Sequence, residues 1–267
     1  MNRASMVLAW LMALVLGQAL AADDPLRAAV DAPHRTPAFA ARDEYRHPYE
    51  TLDFFKVKPD MTVVEIWPAG GWYSEILAPY LKGEGVYHAA HFSPDTELDY
   101  FRKSLDGFRA KLAASPEQYG DVKLTVFDPA NAVLGVPDGS ADRVLTFRNV
   151  HNWLRDDAEA RAFELFFRAL KPGGILGVVE HRGKPGIDRD TMLASGYMDE
   201  DSVIALATRA GFRLDARSEI NANLRDTKDH PSGVWTLPPS LRLGEQDRDR
   251  YQAIGESDRM TLRFVKP

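Results

Sequence analysis

The run Met61-Thr62-Val63-Val64-Glu65-Ile66 is β-branched and apolar, meets a carboxylate at Glu65, and breaks at Trp67-Pro68-Ala69-Gly70-Gly71. A short run of this kind, bounded by Pro and Gly, reads as a buried strand closed by a turn. Residues Trp72 to Leu81 resume at helical spacing, so the unit is strand, glycine turn, helix. The alternation continues downstream: strand over 86–92, helix over 95–114, strand over 122–127 and strand over 143–147. Ala158, Ala162, Leu165, Phe166 and Leu170 then repeat at helical spacing over 156–170, and Lys171-Pro172-Gly173-Gly174 stops that helix. A strand over 175–180, a helix over 201–210 and strands over 212–220 and 260–265 complete the pattern. Strands separated by helices predict an α/β chain built on a mostly parallel sheet.

Residues 22–60 read as a flank of short helices punctuated by Pro33, Pro37 and Pro48, and residues 61–267 as one domain. A stretch at 221–259 shows no clear period, and a connection of roughly forty residues inside a compact domain is expected to be functional. The first twenty-one residues carry Arg3, an apolar run from Met6 to Leu16 and Ala19-Leu20-Ala21 before Asp23-Asp24. That order predicts a leader cleaved after Ala21 and a periplasmic or secreted protein, with no stable membrane anchor after cleavage. The apolar core of the leader is shorter than the ~20 residues a membrane span needs.

The chain has 33 Lys+Arg against 39 Asp+Glu, 45% hydrophobic residues and no cysteine. An acidic balance argues against nucleic acid as a partner, and the lack of Cys excludes disulfide scaffolds and CxxC redox or zinc sites. A small molecule is the expected substrate or ligand.

The segment Glu65 to Gly71 resembles the first strand and turn of class I S-adenosylmethionine-dependent methyltransferases. Leu170 to Gly174 resembles the stop before that family's fifth strand, and Phe147-Arg148-Asn149-Val150 its segment after strand four. With the leader, Arg148 to Trp153 and Gly255 to Leu262 are similar to a group of exported predicted methyltransferases. The resemblance implies a Rossmann-like, seven-stranded, mostly parallel sheet with helices on both faces and an antiparallel C-terminal strand. It also implies S-adenosylmethionine as cofactor, near Glu65, Ala69, Gly70, Gly71, His91, Asp128 and Asn149. Glu65 would serve the amino-acid end, His91 stands where the ribose-binding acid belongs, and Asp128 stands at the adenine position. Trp67 and Ala69 replace two glycines of the family turn.

His151, a few residues beyond the fourth strand, is the candidate general base for methyl transfer, imidazole being the usual acid/base near neutrality. Arg148, His181, Arg182 and Trp235 are candidate substrate contacts, and no metal is expected because no ligand spacing supports one. The alternative function is a non-catalytic periplasmic protein that binds a small ligand in a degenerate methyltransferase crevice.

Overall fold

Eight strands form one sheet: β1 (Thr62–Ile66), β2 (Val86–His91), β3 (Lys123–Asp128), β4 (Val133–Leu134), β5 (Ala141–Phe147), β6 (Leu170–His181), β7 (Arg213–Ser218) and β8 (Arg259–Val265). Their order is β4-β3-β2-β1-β5-β6-β8-β7. β1 lies parallel to both β2 and β5, β3 and β6 extend the parallel pairing, and β8 runs antiparallel to β6 and β7. The seven long strands match the expected Rossmann-like sheet, including its antiparallel last strand. The eighth, β4, is two residues paired antiparallel with Phe127 and Asp128, too short to leave a pattern in sequence. The computed structural model describes residues 24–267, so the expected leader lies outside the described residues. Among the described residues no helix is long and apolar enough to cross a membrane.

The helices of the N-terminal flank are α1 (Pro25–Val30), α2 (Pro37–Ala40), α3 (Asp43–Arg46) and α4 (Pro48–Phe54). Between the strands lie α5 (Ser74–Leu81), α6 (Asp99–Ala114), α7 (Pro116–Tyr119), α8 (Val150–Trp153), α9 (Glu159–Ala169), α10 (Arg189–Ser195), α11 (Glu200–Arg209) and α12 (Arg248–Ile254). Successive strand side chains point to opposite faces, which splits the core in two. Val64, Val144 and Val178 pack with Trp153, Phe163 and Phe166 on one face. Val63, Leu145 and Val179 pack with Leu26, Ile76 and Phe108 on the other. The N-terminal flank thus covers one face of the sheet as an integral layer.

Beyond helix starts shifted by a few residues, as at Asp99 and Glu159, two segments differ in kind from the sequence reading. Lys171 to Gly174 does not separate helix from strand: β6 begins at Leu170, opposite Ala141, and resumes at Ile175, opposite Arg143, with the four residues looped out between. Gly173 has φ +76°, and the loop is held by hydrogen bonds from Gly173 N to Lys266 O and from Lys266 N to Gly174 O. The 221–259 stretch is also not irregular throughout, since it contains a 3-10 turn at Gly233–Thr236 and helix α12. Its first half is pinned from within by the Asp226 carboxylate. That group accepts from Tyr197 Oη, His230 Nε2, Lys228 N and Asp258 N, all at 2.7–2.9 Å.

Gly233 fixes the approach of this segment to α10. Its φ is +55°, and an added Cβ would lie 2.0 Å from the Ser195 carbonyl oxygen. Gly244 has φ +63° with open space around it. Gly244→Ala should therefore cost only the left-handed penalty of about 1–2 kcal/mol. Gly233→Ala should cost at least about 2 kcal/mol beyond that, because backbone must move. Urea unfolding of both variants measures the difference, and equal losses would contradict the close approach.

Candidate functional site

Strand order reverses between β1 and β5, so their carboxyl ends diverge and open a crevice, the place where open α/β sheets bind ligands. A cavity of about 430 Å³ sits there. Glu65, the last residue but one of β1, lies in its floor at 3% exposure. Its Oε2 accepts from Tyr87 Oη and from Ser74 Oγ at 3.2 Å. Burial pushes the Glu65 carboxyl up to about 7 despite those donors.

The turn after β1 is built differently from a glycine loop. Trp67 and Ala69 both hold positive φ, +47° and +51°, a cost tolerated where surrounding structure over-determines the backbone. The Trp67 ring is fixed by an Nε1–H donated to Phe127 O at 2.9 Å and by Phe92, Phe101, Phe127 and Trp153, with centroids within 5.9 Å. Trp67, Phe92 and Phe101 form a wall with the cavity on one side and a second cavity, of about 500 Å³, on the other. Asp128 lines that second cavity, its carboxylate accepting only from Asn131 among the described residues.

Of the residues expected at the cofactor, Glu65, Ala69 and Asn149 line the first cavity and Asp128 the second. Asn149 Nδ2 donates to Ile66 O at 2.8 Å, which braces the ends of β1 and β5. Gly70 and Gly71 line neither cavity: an added Cβ at Gly70 would meet Phe39, and one at Gly71 would lie 2.9 Å from the Phe108 ring. Gly71 serves the packing of α6, whereas Gly70 is exposed and its contact with Phe39 would be an ordinary one. His91 is fully buried, its Nε2 donating to Ala69 O at 3.2 Å and its Nδ1 accepting from Phe92 N at 2.8 Å. Burial pushes it down to about 4. Both ring nitrogens being used, His91 has no hydrogen-bonding capacity left for a ribose, contrary to the expectation from its position.

His151 and His181 line the first cavity, with ring centroids 5.2 Å apart. Between their backbones lies Glu180, wholly buried, which accepts from Val150 N at 2.6 Å and His181 N at 2.8 Å. His151 Nδ1 lies 3.0 Å from Glu180 Oε1 and donates to it, leaving Nε2 without a protein partner among the described residues. This is the geometry of a carboxylate-oriented imidazole base. Sequence reasoning found His151 but gave Glu180 no role in orienting it. His181 Nδ1 lies 2.5 Å from Ser257 Oγ, and burial followed by repulsion from His151, Arg259, Arg148 and Arg46 holds its pKa far down, so it is neutral. His151, Glu180 and His181 bring three potential metal-ligating atoms within 4.8 Å of one another, but His151 Nδ1 and both Glu180 oxygens are already engaged in hydrogen bonds.

Arg148 and Trp235 also line the cavity. Arg182 does not: its guanidinium is consumed by Asp258 and Glu219 at 2.6–3.0 Å, a structural ion network that leaves nothing for substrate. Three basic residues that sequence reasoning missed stand in its place: Arg42 and Arg46 around α3, and Arg259 at the start of β8. All three pair with buried Glu256. Burial would raise Glu256, but Arg259, Arg46, Arg42 and Arg148 outweigh it and hold the carboxylate at about 2. No local pattern marks Arg42 and Arg46, whose partner lies 214 and 210 residues away.

The family model described as methyltransferase domain matches residues 82–178. Among solved structures, the chain is similar to an S-adenosylmethionine-dependent methyltransferase from Aquifex aeolicus. There the TM-score is 0.57 and identity 14%, over 91% of this chain and 99% of that one. The [4+2]-cyclase SpnF gives a TM-score of 0.57 at 18% identity, over 83% of this chain and 82% of its own. Geranyl diphosphate methyltransferase, solved in complex with S-adenosylmethionine, gives 0.55 at 12%, over 90% and 95%. No curated protein matches the chain. The fold is therefore the Rossmann-like fold of S-adenosylmethionine-dependent methyltransferases, a fold that also carries a cyclase.

Glu65 supplies a test of the site's electrostatics. A carboxyl raised by folding stabilises the folded state most below its ordinary pKa of 4.5, and that contribution is lost as pH climbs through about 7. Glu65→Gln removes the titration and keeps acceptors for Tyr87 and Ser74. The variant should gain about 3 kcal/mol relative to wild type between about pH 4.5 and pH 7. Unfolding curves across that range measure it, and a pH-independent difference would contradict the burial argument.

Proposed function

We propose that the protein transfers a methyl group from S-adenosylmethionine to a small molecule bound in the first cavity. The observation that carries this reading is the convergence, on one cavity at the strand-order reversal, of Glu65, the β1 turn and an imidazole oriented by Glu180. The matched methyltransferase domain supports it, as does the cofactor bound by a structural neighbour of the same fold. The residues fit both ends of the cofactor: Glu65 faces the amino-acid side, and Asp128 with Phe127 and Trp153 lines an aromatic cavity suited to a purine. The Trp67 wall stands between them.

When bound, the cofactor supplies an electrophilic methyl group on a sulfonium. The chain's own contribution is position and proton transfer. Arg148 and Trp235 orient the substrate, the Trp67 and Phe92 rings exclude water, and His151 Nε2 takes the proton of the attacking group while Glu180 stabilises the imidazolium. The leader-like residues 1–21 support a site of action outside the cytoplasm. The wall favours one rival, ligand binding without methyl transfer, and the same experiment separates the two.

Calorimetric titration with S-adenosylmethionine and S-adenosylhomocysteine is that experiment. Micromolar binding is expected, weakened about tenfold or more by Asp128→Ala, the native carboxylate accepting hydrogen bonds only from Asn131 among the described residues. No binding up to about millimolar would sink the methyl-transfer reading in favour of the rival. With a substrate in hand, His151→Ala should lower turnover by about 10²–10⁴ while leaving cofactor affinity unchanged.

A further inference from the structure

The first cavity holds more positive charge than its own architecture neutralises. Arg42, Arg46, Arg148 and Arg259 all line it, and the acidic groups facing them are Glu256 and Glu65. Glu65, raised to about 7, is ionised only in part near neutrality. Glu256 alone serves three of the guanidiniums, through Arg42 Nε at 2.5 Å, Arg46 Nε at 3.1 Å and Arg259 Nη2. Arg148 has no acceptor for its guanidinium among the described residues, and its backbone sits at φ +61° at the strand-order reversal. Arg42 Nη2 and Arg259 Nε are buried without a hydrogen-bond partner. Burial and then repulsion from Arg259 pull Arg148 down to about 10.

Buried guanidinium donors left unpaired are costly, and a purely structural ion cluster would be balanced. The cost is retained where a ligand supplies the missing acceptors, and planar guanidinium groups bind phosphate and carboxylate oxygens in pairs. The amino-acid end of the cofactor does not settle the balance, because it brings one carboxylate together with one ammonium. We infer that the cavity formed by Arg42, Arg46, Arg148 and Arg259 binds a small molecule bearing at least two negative charges, a phosphorylated or polycarboxylate compound. This names the substrate class and rests on the methyl-transfer reading for the substrate's role, while the binding itself requires no cofactor.

The test titrates the protein, in chloride buffer free of other anions, with inorganic phosphate, succinate and citrate separately, by calorimetry and by thermal unfolding. At least one probe should bind saturably and raise the melting temperature, as a ligand specific to the folded state does. Phosphate alone binding points to a phosphorylated ligand, and citrate or succinate alone to a polycarboxylate. Arg148→Gln should weaken the bound probe by about tenfold or more. The same variant should melt no lower than wild type without anion, since it breaks no hydrogen bond and the repulsion it relieves from Arg259 outweighs the attraction to Glu256 it gives up. Arg42→Gln, at the more accessible rim, serves as a second variant with the same expected loss of binding. No saturable binding by any probe up to about 10 mM, or binding indifferent to both substitutions, overturns the inference. Titration with S-adenosylhomocysteine is scored apart: anion binding without nucleoside binding sustains this site and removes methyl transfer, and the converse does the reverse.

Discussion

The carboxylate of Glu256 is the tie on which the closed cavity depends. Arg42 and Arg46 reach it from the N-terminal flank and Arg259 from the start of β8, so one buried anion joins the two ends of the described chain above the carboxyl edge of the sheet. Paired buried charges gain little over an apolar core, yet removing one partner costs about 3–5 kcal/mol because the others are left unneutralised. The arrangement is therefore better understood as fixing where the flank sits than as adding stability. Arg46 adds a second contact by lying over the Trp72 ring at 4.8 Å. The N-terminal helices thereby supply one wall of the site.

The other wall is aromatic, and it follows from one substitution in the β1 turn. A tryptophan at the first turn position cannot leave the open surface that glycine leaves, so its ring must be housed. Phe92, Phe101, Phe127 and Trp153 house it, and the crevice at the strand-order reversal becomes two cavities. Gly71 keeps its positive φ, but the space its missing side chain leaves is filled by Phe108 of α6. A turn that resembles a nucleotide loop in sequence thus doubles as a packing joint. This explains why His91, next to Phe92, is turned inward and fully used by backbone partners.

The sheet was legible because strand and helix periods alternate from Thr62 to Ile220, with Gly and Pro at the breaks. Glu65, Asn149, His151 and His181 were legible as well, since each closes or follows a strand and strand ends converge in this topology. Arg42, Arg46, Glu256 and Arg259 were not, because they meet only when the flank folds back onto β8. Local pattern says nothing about pairs two hundred residues apart. Arg182 misled for the opposite reason: it follows directly on β6, but Asp258 and Glu219 capture it. Lys171 to Gly174 has the composition of a helix stop and the structure of a loop inside a strand, a distinction set by pairing with β5 and β8.

The central proposal is that the sulfonium end of a cationic cofactor and an anionic substrate share one arginine-rich cavity. Repulsion from four guanidiniums should weaken a sulfonium relative to its neutral thioether counterpart until an anion screens them. The direct measurement is the calorimetric affinity for S-adenosylmethionine and S-adenosylhomocysteine, with and without a saturating concentration of whichever anionic probe binds. The account predicts that the anion tightens S-adenosylmethionine more than S-adenosylhomocysteine. Competition between anion and cofactor, or no nucleoside binding in either condition, would contradict it.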